Sequence, residues 1–434
     1  MRDLFGGISL TPWQSLNEPG APAPTALNCR NPLTGLEITM TTPTRTTVLL
    51  CDLVPYRHST RTRKIAATVA PGRPGEVRAV TLARVGRLGM SDTPGRSCID
   101  GVDVENLPVR EIDDRRNLTA SVRNLLRYLP AIWRLRRRVL ATPARTIFVG
   151  QIALFWLGIA HRRRWGSEVI ISSRELPGGV RTKGSLATWF SRVEPWMLRR
   201  AARRHKFTVV AVCDSHADRF RELGVKDVLV VRNVPLASFA PRYTSPPSGA
   251  DLRLACVGSL YPGRGIEVLI DAVVAARAAG APVRLTITGP AGREYRQLLR
   301  DRIDAAEAGG YIALEEACAT DEVPTCYQRS HIGTALYEAI DAANDSLSNK
   351  IFEGVVAGRP VIAGNLAENR ALVERHRLGW TIPVEVAPIR DLLIRLAADI
   401  PAVRAHAEHC HEVGRTEFVW EIETLPLQKR LIGA

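Results

Sequence analysis

The stretch Asp345-Ser-Leu-Ser-Asn-Lys-Ile-Phe-Glu353, continuing as Gly354-Val-Val-Ala-Gly-Arg-Pro-Val-Ile-Ala363, decides how the chain is read. Asp345 and Ser346 are short polar residues of the kind that cap a helix. Ile351, Val355 and Val356 recur behind them at helical spacing, so a helix is expected over 347–357. Gly358 closes it, and the residues from Pro360 to Ala363 have the apolar character of a buried strand. A helix that starts at the carboxyl end of a strand presents free N–H groups and the positive end of its dipole, which suit phosphate or sugar hydroxyls. Glu353 lies about two turns after Asp345, near enough to the same face for both carboxylates to reach one ligand. On spacing alone, a capped surface helix with an incidental Glu fits equally well.

Outward from this stretch, strands and helices alternate in both directions, the pattern of parallel sheets covered by helices. Strands are expected at 47–53, 76–81, 145–149, 168–172, 208–213 and 227–231, with helices at 121–140 and 186–204 between them. A second series follows: strands at 253–257, 284–288, 312–315, 332–336 and 360–363, with helices at 265–279, 294–308, 320–330, 347–357 and 365–374. Pro235, Pro241, Pro246 and Pro247 separate the two series in a stretch that resists helix. The divisions are therefore a loose, disordered leader at 1–44, a first α/β domain at 45–235, a linker at 236–250, a second α/β domain at 251–414 and a terminal helix at 415–434. Met40, just before the first convincing strand, is an alternative start of translation.

At 434 residues the chain is long enough for two such domains, hence for a cleft between them. A net charge of +15 calls for an anionic partner, and nucleic acid, anionic lipid and phosphorylated substrates all qualify. The arginines are dispersed over helices without interleaved aromatics or zinc spacing, which weighs against nucleic acid. Eight cysteines without CxxC spacing read as reduced, cytoplasmic usage. No secretory signal opens the sequence, and the apolar run 147–160 is too short and too polar to span a bilayer. It reads as a buried strand entering a helix. His406, His409, Cys410 and His411 lack a second ligand cluster, so no metal site is expected there.

The opening stretch resembles the donor-binding signature of family 4 glycosyltransferases, in the sub-branch that reads Ser-Leu-x-Asn-Lys-x-Phe-Glu. The resemblance implies a GT-B fold: two Rossmann-like domains facing each other across a cleft, with the last helix crossing back to the first domain. It implies a metal-independent, retaining, hexosyltransferase-type enzyme that uses a nucleotide-diphosphate sugar, GDP- or UDP-linked. Glu353 would bind the ribose hydroxyls. Asp345 would face the donor sugar, although the family usually has the longer Glu there. Ser346 and the backbone N–H groups of Leu347, Ser348 and Asn349 would meet sugar or diphosphate, and Lys350 fits either a phosphate ligand or a solvated helix residue.

Leu254-Ala-Cys-Val-Gly258-Ser-Leu-Tyr-Pro-Gly-Arg264-Gly265 is similar to the family's Gly-Arg-Leu…Lys-Gly element, whose two basic residues grip the diphosphate. Arg264 matches the second, while Ser259 stands where the first is expected. Gly289 matches a Gly-rich turn, and Glu316 lies in the loop that seats the nucleobase. In the first domain, Arg174 and Glu175 follow a strand where the family often has His. Tyr56, Arg57 and His58 occupy the loop after the first strand, on the acceptor side.

The acceptor implied is a small specialised metabolite, a natural product or a thiol. A lipid-linked glycan at the cytoplasmic membrane face is the alternative, because residues 121–140 place Leu125, Leu126, Leu129, Ile132, Trp133 and Leu135 beside arginines. A basic helix packed on the sheet fits that segment equally well. A homodimer, and a non-catalytic partner subunit, stay open.

Overall fold

The structure is a computed structural model. It describes residues 26–30, 37–41, 46–69, 76–84, 93–109, 118–174, 176, 186–319, 322–338 and 347–432. Within the stretch read as a loose leader, β1 (Ala26–Arg30) and β2 (Glu37–Thr41) pair antiparallel, so part of it has strand conformation that the sequence did not signal.

The first domain runs β3 (Thr46–Asp52), α1 (Thr60–Val69), β4 (Val77–Arg84), β5 (Gly95–Ile99), β6 (Val102–Val109), α2 (Leu118–Ala141) and β7 (Ala144–Val149). It continues with α3 (Phe155–Trp165), β8 (Glu168–Ser172), α4 (Leu186–Ala202), β9 (Thr208–Ala211), α5 (Asp214–Glu222) and β10 (Asp227–Val230). The strands form one sheet in the order β10-β9-β8-β7-β3-β4-β6-β5, parallel except for β5, which pairs antiparallel with β6 at the edge. The run Thr46-Thr-Val-Leu-Leu-Cys-Asp52 is nearly continuous in its apolar character because both faces are covered. Val48 and Leu50 pack toward α1, while Leu49 and Cys51 pack with residues of α2, α3, α4 and α5. The edge strand β5 and its neighbour β6 were not anticipated; β5 is polar and none of its residues is fully buried.

The second domain runs β11 (Leu252–Val257), α6 (Ile266–Ala278), β12 (Val283–Thr288), α7 (Arg293–Ala305), β13 (Ile312–Glu315), α8 (Val323–Gln328) and β14 (Ile332–Ala335). Then come α9 (Asn349–Val356), β15 (Val361–Gly364), α10 (Ala367–His376), β16 (Gly379–Ile382) and α11 (Val386–Ala398). Its all-parallel sheet has the order β13-β12-β11-β14-β15-β16. Arg359, fully buried, donates to the carbonyls of Ser330, Gly358 and Gln328 and to that of Thr244 in the interdomain segment.

The chain ends in α12 (Ile400–Glu417), which packs on α9 and α11 of the second domain, and in α13 (Trp420–Glu423) and α14 (Leu425–Ile432), which cross back onto the first domain. Trp420 is the pin. Its indole N–H reaches Thr68 Oγ1 at 2.9 Å, its backbone N–H donates to Pro235 O at 2.7 Å, and Arg430 pairs with Asp227 at 2.9 Å. Among the described residues six cysteines are free thiols, but Cys98 is disulfide-bonded, which departs from wholly reduced usage.

Candidate functional site

In each sheet the strand order reverses once, between β3 and β7 in the first domain and between β11 and β14 in the second. Crevices open at the carboxyl ends of strands at such switch points. Gly258 ends β11, and α9 starts after β14, so the two segments singled out by sequence meet at the second domain's crevice.

There the turns approach backbone to backbone. A Cβ on Gly289 would lie 1.9 Å from Gly258 O, so only glycine lets the turn after β12 sit against the turn after β11. A Cβ on Gly258 would meet Lys350 Cε at 3.2 Å and Nζ at 3.9 Å. Lys350 is thus buried, with its ammonium over the end of β11, and is not a solvated helix residue. It brings a positive charge beside Ser259, the exposed residue where the first basic group of the family is missing.

Arg264 is half-buried between two rings, with its guanidinium carbon 4.2 Å from the Tyr261 centroid and 4.1 Å from that of Tyr337. Burial lowers its pKa to about 10, leaving it cationic at neutral pH. Two rings this close restrict the approach of an acceptor to the guanidinium, and its Nε has no partner.

Helix α9 begins later than expected, with Ser348 at the N-cap. Asp345 and Ser346, read as caps, lie outside the described residues. Ser348 is buried; its N–H donates to Asn369 Oδ1 at 3.1 Å, while its Oγ has no partner. Leu347 packs against the core, and Asn349 opens the helix. Glu353 is half-buried one turn beyond Lys350, and burial raises its carboxyl to about 7 against the opposing pull of Lys350 and Lys64. Glu316 is exposed and already paired with Arg296 at 3.3 Å and Arg300 at 3.7 Å.

Lys64 comes from the first domain. Its ammonium donates to Asn233 Oδ1 and Val234 O, both at 2.8 Å, and lies 4.7 Å from the Trp420 ring. Burial, then the charge of Arg61, lowers its pKa to about 7. Arg61 is itself buried, donating to Ser172 Oγ and Val231 O at 2.9 Å each. Neither residue was found from sequence: both look like ordinary charges on an amphipathic helix.

On the acceptor side, Tyr56 is a correction. It is fully buried and belongs to the core beneath its loop, not to the cleft. Arg57 and His58 are exposed, as is Arg174, whose charge acts on Arg61; Glu175 lies outside the described residues. The loop is anchored by Asp52, a fully buried carboxylate that accepts from Ser59 Oγ and Thr62 Oγ1 at 2.7 Å, Gln151 Nε2 at 2.9 Å and Val54 N at 3.2 Å. Among the described residues no group of three or more His, Cys, Asp or Glu could hold a metal. His406 and His409 bond instead to the carbonyls of Arg377 and His376.

Two family profiles match the chain: a glycosyl transferase 4-like domain over residues 58–234 and glycosyl transferases group 1 over residues 251–399. Together they take in well over half of the sequence, one on each domain. The chain belongs to the GT4-type glycosyltransferases of GT-B architecture. No curated protein sequence matches it. Among solved structures, Anabaena HepE in complex with UDP superposes with a TM-score of 0.63 at 12% identity, over 90% of this chain and 100% of that one. The sucrose-phosphate synthase of Thermosynechococcus elongatus gives 0.65 at 13% identity, over 90% and 99%. An E. coli trehalose-6-phosphate protein bound with UDP-2-fluoro glucose gives 0.62 at 10%, over 89% and 99%. At such identities the likeness is one of fold.

Proposed function

We propose that the chain transfers a sugar from a nucleotide-diphosphate sugar to an acceptor with retention of configuration and without a metal. The observation that carries this reading is the pairing of two fixed cations at the second switch point, Arg264 clamped between tyrosines and Lys350 folded over Gly258. Together they would neutralise a diphosphate and stabilise it as it departs, the role a metal ion plays elsewhere. The N–H groups of Leu347 and Asn349 would meet the sugar or phosphate, that of Ser348 being taken by Asn369 Oδ1; Glu353 would meet the ribose hydroxyls and Asp345 the donor sugar. As the glycosidic bond to phosphate breaks and the acceptor oxygen, nitrogen or sulfur bonds the anomeric carbon from the same face, the leaving phosphate would take the acceptor's proton. No separate base is then required.

The bound ligands of HepE and of the trehalose-6-phosphate protein favour a UDP-sugar over a GDP-sugar. Arg57, His58 and Arg174, at the open edge of the first domain, suit a small acceptor, a natural product or thiol metabolite. The apolar, basic face of α2 favours a second reading, a lipid-linked glycan taken up at a membrane surface. Thermal-shift screening against UDP-, GDP-, ADP- and TDP-sugars tests the donor: a stabilisation of at least several degrees by one nucleotide class is expected. If none stabilises the protein, the catalytic reading fails and a non-catalytic role replaces it.

A further inference from the structure

Helix α2 has two contrasting faces. Ala131, Leu135 and Val139, four residues apart, are buried against the sheet. On the opposite side Leu126, Leu129 and Trp133 are 62%, 51% and 56% exposed. Helix α4, packed on the same face of the sheet, holds Trp196 out at 61% exposure. Arginines accompany the rings: the Arg137 guanidinium lies 5.7 Å from the Trp133 centroid and that of Arg200 lies 5.9 Å from Trp196. Residues 118–206 carry nineteen Arg or Lys against three Asp or Glu.

Scattered exposed apolar residues need no explanation, but three in line on one helix, with a tryptophan on another helix of the same layer, form a pattern. Tryptophan with an arginine over its face suits a boundary that is apolar on one side and wet and anionic on the other. A folded acidic protein would match the charge, but exposed leucines and tryptophans flanked by arginines match the step from apolar to anionic at a bilayer boundary. No helix of the described residues is long and apolar enough to cross a membrane, so contact would be at the surface.

We infer that the α2–α4 face of the first domain docks on an anionic lipid bilayer, with Leu126, Leu129, Trp133 and Trp196 entering the headgroup boundary and the surrounding arginines meeting lipid phosphates. This does not depend on the donor reading. Helices α2 and α4 start at the carboxyl edge of the sheet, so the face runs up to the rim of the cleft.

The test is co-sedimentation of the full chain with vesicles of phosphatidylcholine alone and of phosphatidylcholine with one-quarter phosphatidylglycerol. Binding to the anionic vesicles only is expected, weakened about tenfold or more by the triple substitution Leu126→Ser, Leu129→Ser, Trp133→Ser. Equal binding of the triple variant would show adsorption by charge alone and overturn the inference, as would no binding by the parent. If the triple variant melts early, Trp133→Phe with Trp196→Phe replaces it: brominated lipid should quench the parent's fluorescence and spare most of that of the double variant. Equal fractional quenching of both refutes insertion. Tighter, salt-sensitive binding to duplex DNA that displaces the vesicles would reassign the face to a nucleic acid.

Discussion

The carboxylate of Glu368, near the start of α10 in the second domain, accepts a 2.7 Å hydrogen bond from the backbone N–H of Ser215 in the first turn of α5, in the first domain. Helix α5 has Cys213 at its N-cap. The second domain thus supplies an acceptor to the first turn of that helix, and an anion at a helix N-terminus is favoured by the dipole as well. Its neighbour Asn369 holds Ser348 at the donor loop, so one helix end touches both the opposite domain and the candidate site.

Replacing Glu368 with Ala is therefore expected to loosen the two domains as well as cost roughly 1 kcal/mol, the usual value of a lost cap. Small-angle scattering should show a larger radius of gyration in the variant, and Glu368→Gln should recover most of the difference. Unchanged scattering with lowered stability would reduce the bond to a simple cap.

The ring sandwich makes Arg264 a residue with two supports. Tyr337→Ala removes one ring partner, worth about 0.5–2 kcal/mol, and should weaken nucleotide-sugar binding about 2- to 30-fold. Tyr337→Phe should keep most of the affinity, because stacking needs the ring and not its hydroxyl. Arg264→Lys should lose more than Tyr337→Ala, since an ammonium has neither the planar face nor the fork. Calorimetric titration of the donor orders the three variants.

Glu353 sets a pH dependence. With its folded-state pKa raised to about 7, the group begins to lose its ionised form as pH falls through neutrality, and donor affinity should fall with it; Glu353→Gln should flatten the profile. For stability the sign is the reverse. The folded state binds more protons than the unfolded between 4.5 and about 7, so this group's contribution is present at acid pH and lost as pH rises through 7. Lys64, lowered from 10.5 to about 7, makes stability climb with pH across that upper window. Denaturant titrations from pH 5 to 10 should show the alkaline rise diminish in Lys64→Met.

Asp52 holds the loop after β3 through four hydrogen bonds, and a Cβ on Gly150 would lie 2.6 Å from its Oδ2. Asp52→Ala leaves Ser59 and Thr62, both buried, without that acceptor and should cost on the order of 2–4 kcal/mol. Gly150→Ala should also destabilise, by crowding the same carboxylate. Urea unfolding of both variants measures the effect.

The alternation of strands and helices in the second domain was readable as far as α10 because the elements there are local and several are closed by glycine or proline, whereas β16 and α11 were not anticipated. The interval 312–315 was read to the residue, and 253–257 to within one. The edge pair β5 and β6 escaped because Gly95-Arg-Ser-Cys-Ile99 has no apolar alternation: its strand character comes from pairing with β6. At the site, Arg264 and Glu353 were singled out by the family resemblance of their segments, since on spacing alone an ordinary glycine-rich turn and a capped surface helix fit equally well. Lys350 was equivocal, since burial of a lysine depends on the turn that folds over against it. Tyr337, Asn369, Arg61 and Lys64 could not be picked out, because their roles arise from contacts with segments distant in sequence. Tyr56 was misplaced for a related reason: the loop position was right, but the ring turns inward.

The bonds of Arg359 bear on where the molecule can bend. With Thr244 tied to Arg359, Arg242 accepting from Gln328 and Pro247 from Arg404, residues 242–247 travel as part of the second domain. Any opening stroke then turns on a short axle, where the chain leaves β10 and where Pro235 O receives the N–H of Trp420. The proline-rich segment serves as a rigid bracket for that pivot, and lengthening it beyond residue 241 would leave the angle between the two lobes unchanged.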